Sequence, residues 1–115
     1  MYRLEPNPAG GMAPSNFTPA DAFTTDDKTE TNHTYFATDD ESRLVGVWEC
    51  APCREEIASY PVHEMMTVLS GAVTVTVAGE APQTYRSGDT FFIPKGTACV
   101  WEITETLRKY YFISS

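Results

Sequence analysis

The sequence predicts an all-β chain, a sandwich or barrel of short strands. Three observations carry that prediction. Apolar and polar residues alternate with a period of two, most clearly where Val73, Val75 and Val77 interleave with Thr74 and Thr76. Turn residues such as Ser87-Gly88-Asp89 and Pro94-Lys95-Gly96 punctuate the alternation at tight intervals. No stretch has both the length and the 3.6-residue period of a secure helix.

The chain has 115 residues, enough for one domain and too few for two. Apolar residues make up 42% and aromatics 12%, so a core can form. The formal net charge is −8. That excludes nucleic acid and anionic membrane surfaces as partners, because both need clustered Lys and Arg. No apolar run approaches the roughly 20 residues of a membrane span. The first dozen residues lack the apolar stretch of a secretory signal. An odd cysteine count of three suits a reducing cytoplasm, the expected location.

Residues 1–30 hold Pro6, Pro8, Gly10, Gly11, Pro14 and Pro19, and read as an irregular N-terminal arm. Phe17 and Phe23 are the side chains that would pin it, to the body or to a neighbouring subunit. The body is 31–115. Its first strand has His33, Tyr35 and Ala37 on one face and Thr34 and Phe36 on the other. After an Asp39–Ser42 turn, a second strand puts Leu44, Gly46, Trp48 and Cys50 on one face. The run Arg54–Tyr60 is too short for a helix and stops at Pro61. Residues 65–79 read as two strands around Ser70-Gly71. Short strands at Thr84–Arg86 and Thr90–Ile93 follow. Two more, 97–103 and 107–113, are joined through Thr104-Glu105-Thr106.

Cys50 and Cys53 have the spacing of a redox dithiol or of half a zinc site. A redox pair needs a helix N-terminus after the first thiol to lower its pKa. Zinc needs two further ligands. The residues beyond Cys53 promise neither, so a buried Cys50 and a strand-ending Cys53 are the default reading, with a thiol-redox or zinc module as the lesser alternative.

Two further stretches carry a resemblance. Glu64, six residues and Gly71 are followed by Gly88, five residues, Pro94, one residue and Gly96. This pair of motifs resembles the core of a cupin. With GVWECAPC before it and ACVWEITETLRKYY after it, the pattern is similar to small cupins of the ureidoglycine aminohydrolase cupin-domain type. The resemblance covers about residues 44–113. It implies a single cupin-type jelly-roll β-barrel, a homodimer whose N-terminal segment crosses the partner, and a barrel-mouth site.

Cupins that bind a metal take two histidines and the glutamate from the first motif, and a histidine from the second. Here the first two positions fall near Ile57–Tyr60, where there is no histidine, and the last falls on Cys99. A divalent metal therefore has two weak candidate ligands, Glu64 and Cys99. His63 lies next to Glu64 and should face the opposite side of the strand.

On this reading Glu64, Met66 and Val68 point inward from one strand, and Cys99, Trp101 and Ile103 from another. Trp48, Cys50 and Tyr111 join them, and Tyr60 hangs over the rim. Tyr60, Glu64, Cys99, Trp101, Trp48 and Tyr111 form the expected ligand site, with Glu64 as the candidate catalytic base. Burial would raise its pKa unless a cation or a donor compensates. Glu64 held only as structure, by backbone N–H groups or an arginine, is the bland alternative. The expected function is binding or acting on a small polar metabolite. The competing readings are a divalent-metal enzyme with an atypical Glu/Cys site and a non-enzymatic dimer.

Overall fold

The structure is a computed structural model that describes residues Met1–Ser115. Eight strands and one short 3-10 turn make up its regular structure. In chain order they are β1 (Ala13–Pro14), the turn (Ala20–Ala22), β2 (Glu30–Ala37), β3 (Arg43–Cys50), β4 (Cys53–Ile57), β5 (His63–Val77), β6 (Gln83–Arg86), β7 (Thr90–Ile93) and β8 (Cys99–Ser114). The all-β class holds. No helix is long and apolar enough to cross a membrane.

The expected strand breaks at Ser70-Gly71 and Thr104-Glu105-Thr106 are not turns. β5 runs unbroken for 15 residues and β8 for 16. They pair antiparallel from His63↔Ser114 to Val77↔Cys99, with register shifts between Val68 and Val73. The shifts bend the ribbon, as bulges do. Gly71 sits in the bend at φ +83°, and a Cβ there would strike the Thr106 carbonyl. A glycine that reads as a hairpin turn thus serves as a hinge where two strands pass together from one sheet to the other.

The bent ribbon organises everything else. Its first half takes β7 on the β5 side and β3, β2 and β1 on the β8 side. Its second half takes β6 on β5 and β4 on β8. The result is a jelly roll whose hydrogen-bonded path runs β1-β2-β3-β8-β5-β6 without closing. The run Arg54–Ile57, read only as too short for a helix, is most of strand β4.

Period-2 alternation fills the core between the two halves. Met66, Val68, Val73, Val75, Ile103 and Leu107 are buried there with both tryptophans. Val47 points the other way yet is also fully buried. It pairs with Tyr110, whose hydroxyl donates to the Leu4 carbonyl. Arg108 donates to the Pro6 carbonyl. The chain start therefore lies over this outer face.

The arm is better ordered than its composition suggests. β1 pairs with β2, and Phe23 forms a bridge to Cys53. Phe23 packs on the core, whereas Phe17 is 75% exposed. Cys50 and Cys53 sit under this segment, both free thiols and both buried. Cys53 starts β4 rather than ending a strand, and a two-residue link leads into it instead of a helix.

Candidate functional site

Between the two halves lies a cavity of about 440 Å³. Trp48, Tyr60, Glu64, Trp101 and Tyr111 all line it. Inward register from β3, β5 and β8 brings them together, and Tyr60 arrives from the loop before Pro61. Cys99 does not line it. As the first residue of β8 it pairs with Ile57 and Val77, and it borders a separate shallow depression beside Val77 and Ala78. Burial raises the Cys99 pKa, with the Glu55 charge adding to the effect.

The floor of the cavity is an ion pair. The Glu64 carboxylate accepts from the Tyr60 hydroxyl at 2.6 Å and from the Lys109 ammonium at 2.7 Å. Both charged side chains are nearly inaccessible, at 6% for Lys109 and 7% for Glu64. Lys109 also lies 4.7 Å from the Trp48 ring centroid and 4.9 Å from that of Trp101. It donates to the Met66 sulfur at 3.3 Å. Removing two charges from water costs several kcal/mol per ion, of the order only close pairing can offset. Here a short contact, two aromatic faces and a phenol donor supply that compensation.

Lys109 is the residue that sequence reasoning missed. The signal was present: if Tyr111 faces inward, so must Lys109, two positions earlier. Leu107, Lys109 and Tyr111 are all buried. The arginine or backbone donors weighed as partners for Glu64 are in fact this lysine and Tyr60. Burial, reinforced by the neighbouring Glu64 charge, pushes the Tyr60 phenol up, so it stays a donor. His63, by contrast, is exposed, stacks on Phe92, and accepts from the Lys95 amide.

A second buried acid was also missed. Glu30 is 5% exposed and opens β2. It accepts from the Trp48 indole at 2.9 Å, the Ser15 hydroxyl at 2.9 Å, and the Phe17 and Thr18 amides at 3.0 and 2.9 Å. Burial alone would raise its pKa, but these four donors outweigh burial and the net shift is downward. Glu30 thus ties the arm to the cavity wall and fixes the plane of Trp48. On the same strand, Asn32 accepts from the Tyr111 hydroxyl at 2.7 Å. Burial raises the Tyr111 pKa, and the bonds to Thr34 and Asn32 partly oppose it.

The residues present do not fit a divalent metal. No group of three or more His, Cys, Asp or Glu side chains is placed so that it could hold a metal ion. The Lys109 ammonium stands against the glutamate that would ligate an ion, and repels a second cation at contact distance. The proposed Glu64/Cys99 pair fails on geometry as well, since Cys99 lies outside the cavity. Nor does the Cys50/Cys53 pair resemble an activated dithiol. Both thiols are buried and a strand, not a helix N-terminus, follows them; the neighbouring Cys53 thiol and burial raise Cys50, while the Cys50 thiol lowers Cys53.

The profile of the EutQ-like cupin domain matches residues 37–111. No curated protein sequence matches. Among solved structures, a protein of unknown function from Pseudomonas syringae pv. tomato superposes with a TM-score of 0.83 at 22% identity, covering 96% of this chain and 46% of that one. This chain therefore spans less than half the length of that protein. A putative ethanolamine utilization protein Q from Salmonella typhimurium gives 0.61 at 22% identity, covering 75% and 69%. The EutQ protein of Clostridium difficile gives 0.61 at 20%, covering 87% and 80%. At these identities the structures speak for the fold. The family match reaches the cupin but not the ureidoglycine aminohydrolase type. With the jelly roll and the profile in agreement, the chain belongs to the EutQ-like cupin domain family.

Proposed function

We propose that this protein binds a small, neutral polar metabolite in its cavity and anchors it on the Lys109–Glu64 pair. One observation carries the reading: the buried ammonium already occupies the position where a cation would be held, between two tryptophan rings and a carboxylate. A cationic ligand finds that seat taken. An anionic ligand meets Glu41 and Glu55 on the cavity lining. A neutral group with an acceptor beside a donor fits both charges. An amide, a ureide or a sugar diol has that form, and the aromatic walls cover its faces.

Donor counting supports the same class. An ammonium has three donors, and Glu64 and Met66 take two of them. Each Glu64 oxygen keeps lone-pair capacity beyond the bonds it accepts from Tyr60 and Lys109. Glu64 is here an anchor, not a free base awaiting a proton. The resemblance to ureidoglycine aminohydrolase cupins is consistent with ureides as the first compounds to try.

The test is a thermal-shift and NMR screen of small amides, ureides and methyl glycosides. It compares wild type with Glu64→Gln and Lys109→Met. A compound that stabilises wild type and loses at least about tenfold in affinity in both variants supports the reading. Equal affinity in all three proteins for every binder found contradicts it.

A further inference from the structure

The cavity floor holds a nucleophile as well as a charge. The chain has three lysines, and Lys28 and Lys95 are exposed. Lys109 alone is buried, and it lines the cavity. Pairing with Trp48 of β3 on one side and Val68 of β5 on the other fixes its backbone. A buried ion pair rarely stabilises a fold more than apolar residues of the same volume do. Two charges kept at a cavity wall therefore call for a use beyond stability.

We propose that Lys109 condenses with the carbonyl carbon of a small neutral aldehyde, forming a protonated imine (a Schiff base) that stays paired with Glu64. The step rests on the binding reading above, because the aldehyde docks on the same pair as any other neutral polar ligand. A lysine amine attacks carbonyl compounds once an adjacent base frees its lone pair. That base is in place. Glu64 Oε2 lies 2.7 Å from the Lys109 nitrogen, and the Tyr60 hydroxyl holds Oε1 at 2.6 Å, which leaves Oε2 to the amine.

Lys109 passes one proton to Glu64. The freed lone pair attacks the carbonyl carbon, a C–N bond forms, and the C=O π pair moves onto oxygen. A second proton moves from nitrogen to that oxygen and gives a neutral carbinolamine. Glu64 then hands its proton to the hydroxyl. The C–O bond breaks, water leaves, and the nitrogen lone pair closes the C=N bond. One aldehyde and one ammonium go in; one iminium and one water come out. Glu64 begins and ends as a carboxylate, and its only proton is the one Lys109 lends it.

The product suits the site that makes it. An iminium carries its charge on the same nitrogen, with the Trp48 and Trp101 ring centroids 4.7 and 4.9 Å from it and a carboxylate in contact. The lining selects the substrate. Leu44, Ile57, Val62 and Ile113 offer an apolar wall to an alkyl chain, and Glu41 and Glu55 repel an anion. A neutral aldehyde therefore enters where an anionic one does not.

Reductive trapping tests the step. Wild-type protein is incubated with butanal and sodium cyanoborohydride, which reduces an imine to a stable amine, and the labelled lysines are mapped by peptide mass spectrometry. The expected result is a butyl group on Lys109, added at least about tenfold faster than on Lys28 or Lys95, within the roughly 100-fold that a positioned base supplies. Glyoxylate, an aldehyde bearing a carboxylate, should lose that preference for Lys109. Butyramide has the same chain length but cannot condense, and should protect Lys109 from butanal. Labelling of Lys109 no faster than of Lys28 and Lys95 overturns the imine, and an equal preference with glyoxylate overturns the choice of a neutral substrate. If Lys109 is spared while butyramide still raises the melting temperature, the binding reading stands and only the covalent step falls. If no amide or ureide binds either, both fall. The wild-type map decides, so no outcome depends on a variant that fails to fold.

Discussion

Two carboxylates are buried in this small protein, and they are compensated in opposite ways. Glu64 is answered by a full charge, the Lys109 ammonium, plus a single phenol. Glu30 is answered by four neutral donors and no cation in contact. The Glu30 donors come from the arm and from β3, and close around the acid. The Glu64 partners leave it facing a cavity. A carboxylate saturated by backbone and side-chain dipoles is a fastener, and its loss loosens whatever it fastened. A carboxylate matched by one ammonium beside open volume is a recognition surface, because a ligand can bond to both charges without displacing the fold.

The comparison breaks most sharply at Glu64. Replacement by alanine leaves a buried ammonium with no counter-charge, and the expected loss of stability is about 3–5 kcal/mol. Lys109→Met combined with Glu64→Gln should lose much less than the two single losses together, since neither charge is then stranded. A double-mutant cycle by urea unfolding measures the coupling. Additive losses would mean that the two groups do not depend on each other.

Glu30→Ala should cost less, about 2–3 kcal/mol, because it strands only neutral donors. Its signature is local. Hydrogen exchange should accelerate at the Phe17 and Thr18 amides, and Trp48 fluorescence should shift as its indole loses its acceptor. If exchange at Phe17 and Thr18 is unchanged, Glu30 does not hold the arm.

The smallest effect is the pH dependence. The folded-state pKa of Glu30 lies below its ordinary value of 4.5. Its stabilisation is therefore fully present above that ordinary value and fades as pH falls through the lower, folded value. Glu30→Gln should remove this part of the acid sensitivity and flatten the stability curve below about pH 4.5. A curve parallel to wild type there would show that Glu30 titrates alike in both states.

Much of this was legible in the chain, and the gaps have physical reasons. The period-2 valines of β5 follow from alternation, the turns at Gly88 and Gly96 from their turn residues, and the inward set around Glu64 from alternation laid on the motif resemblance. Gly71 and Thr104–Thr106 misled because a bulge and a hairpin turn share the same local residues. Only the pairing of β5 with β8 along their full length separates the two cases. Cys99 was assigned to the mouth from its motif position, but bending the ribbon sends the first residue of β8 away from it. Lys109 was passed over because lysine reads as a surface residue, although its neighbours Leu107 and Tyr111 fix its direction. Glu30 sits at the edge of a proline-rich arm, where no periodicity reaches.

The central claim is that Lys109 supplies the cation of the cavity. Lys109→Ala tests it by removing the three methylenes and the ammonium that propylammonium can restore. Melting temperatures of wild type and variant are compared over a titration of propylammonium, and of manganese and zinc ions. The account predicts that propylammonium raises the melting temperature of Lys109→Ala, that wild type does not respond to it, and that neither metal stabilises wild type at stoichiometric levels. A variant indifferent to the amine, or a wild type stabilised by one equivalent of metal, would contradict it.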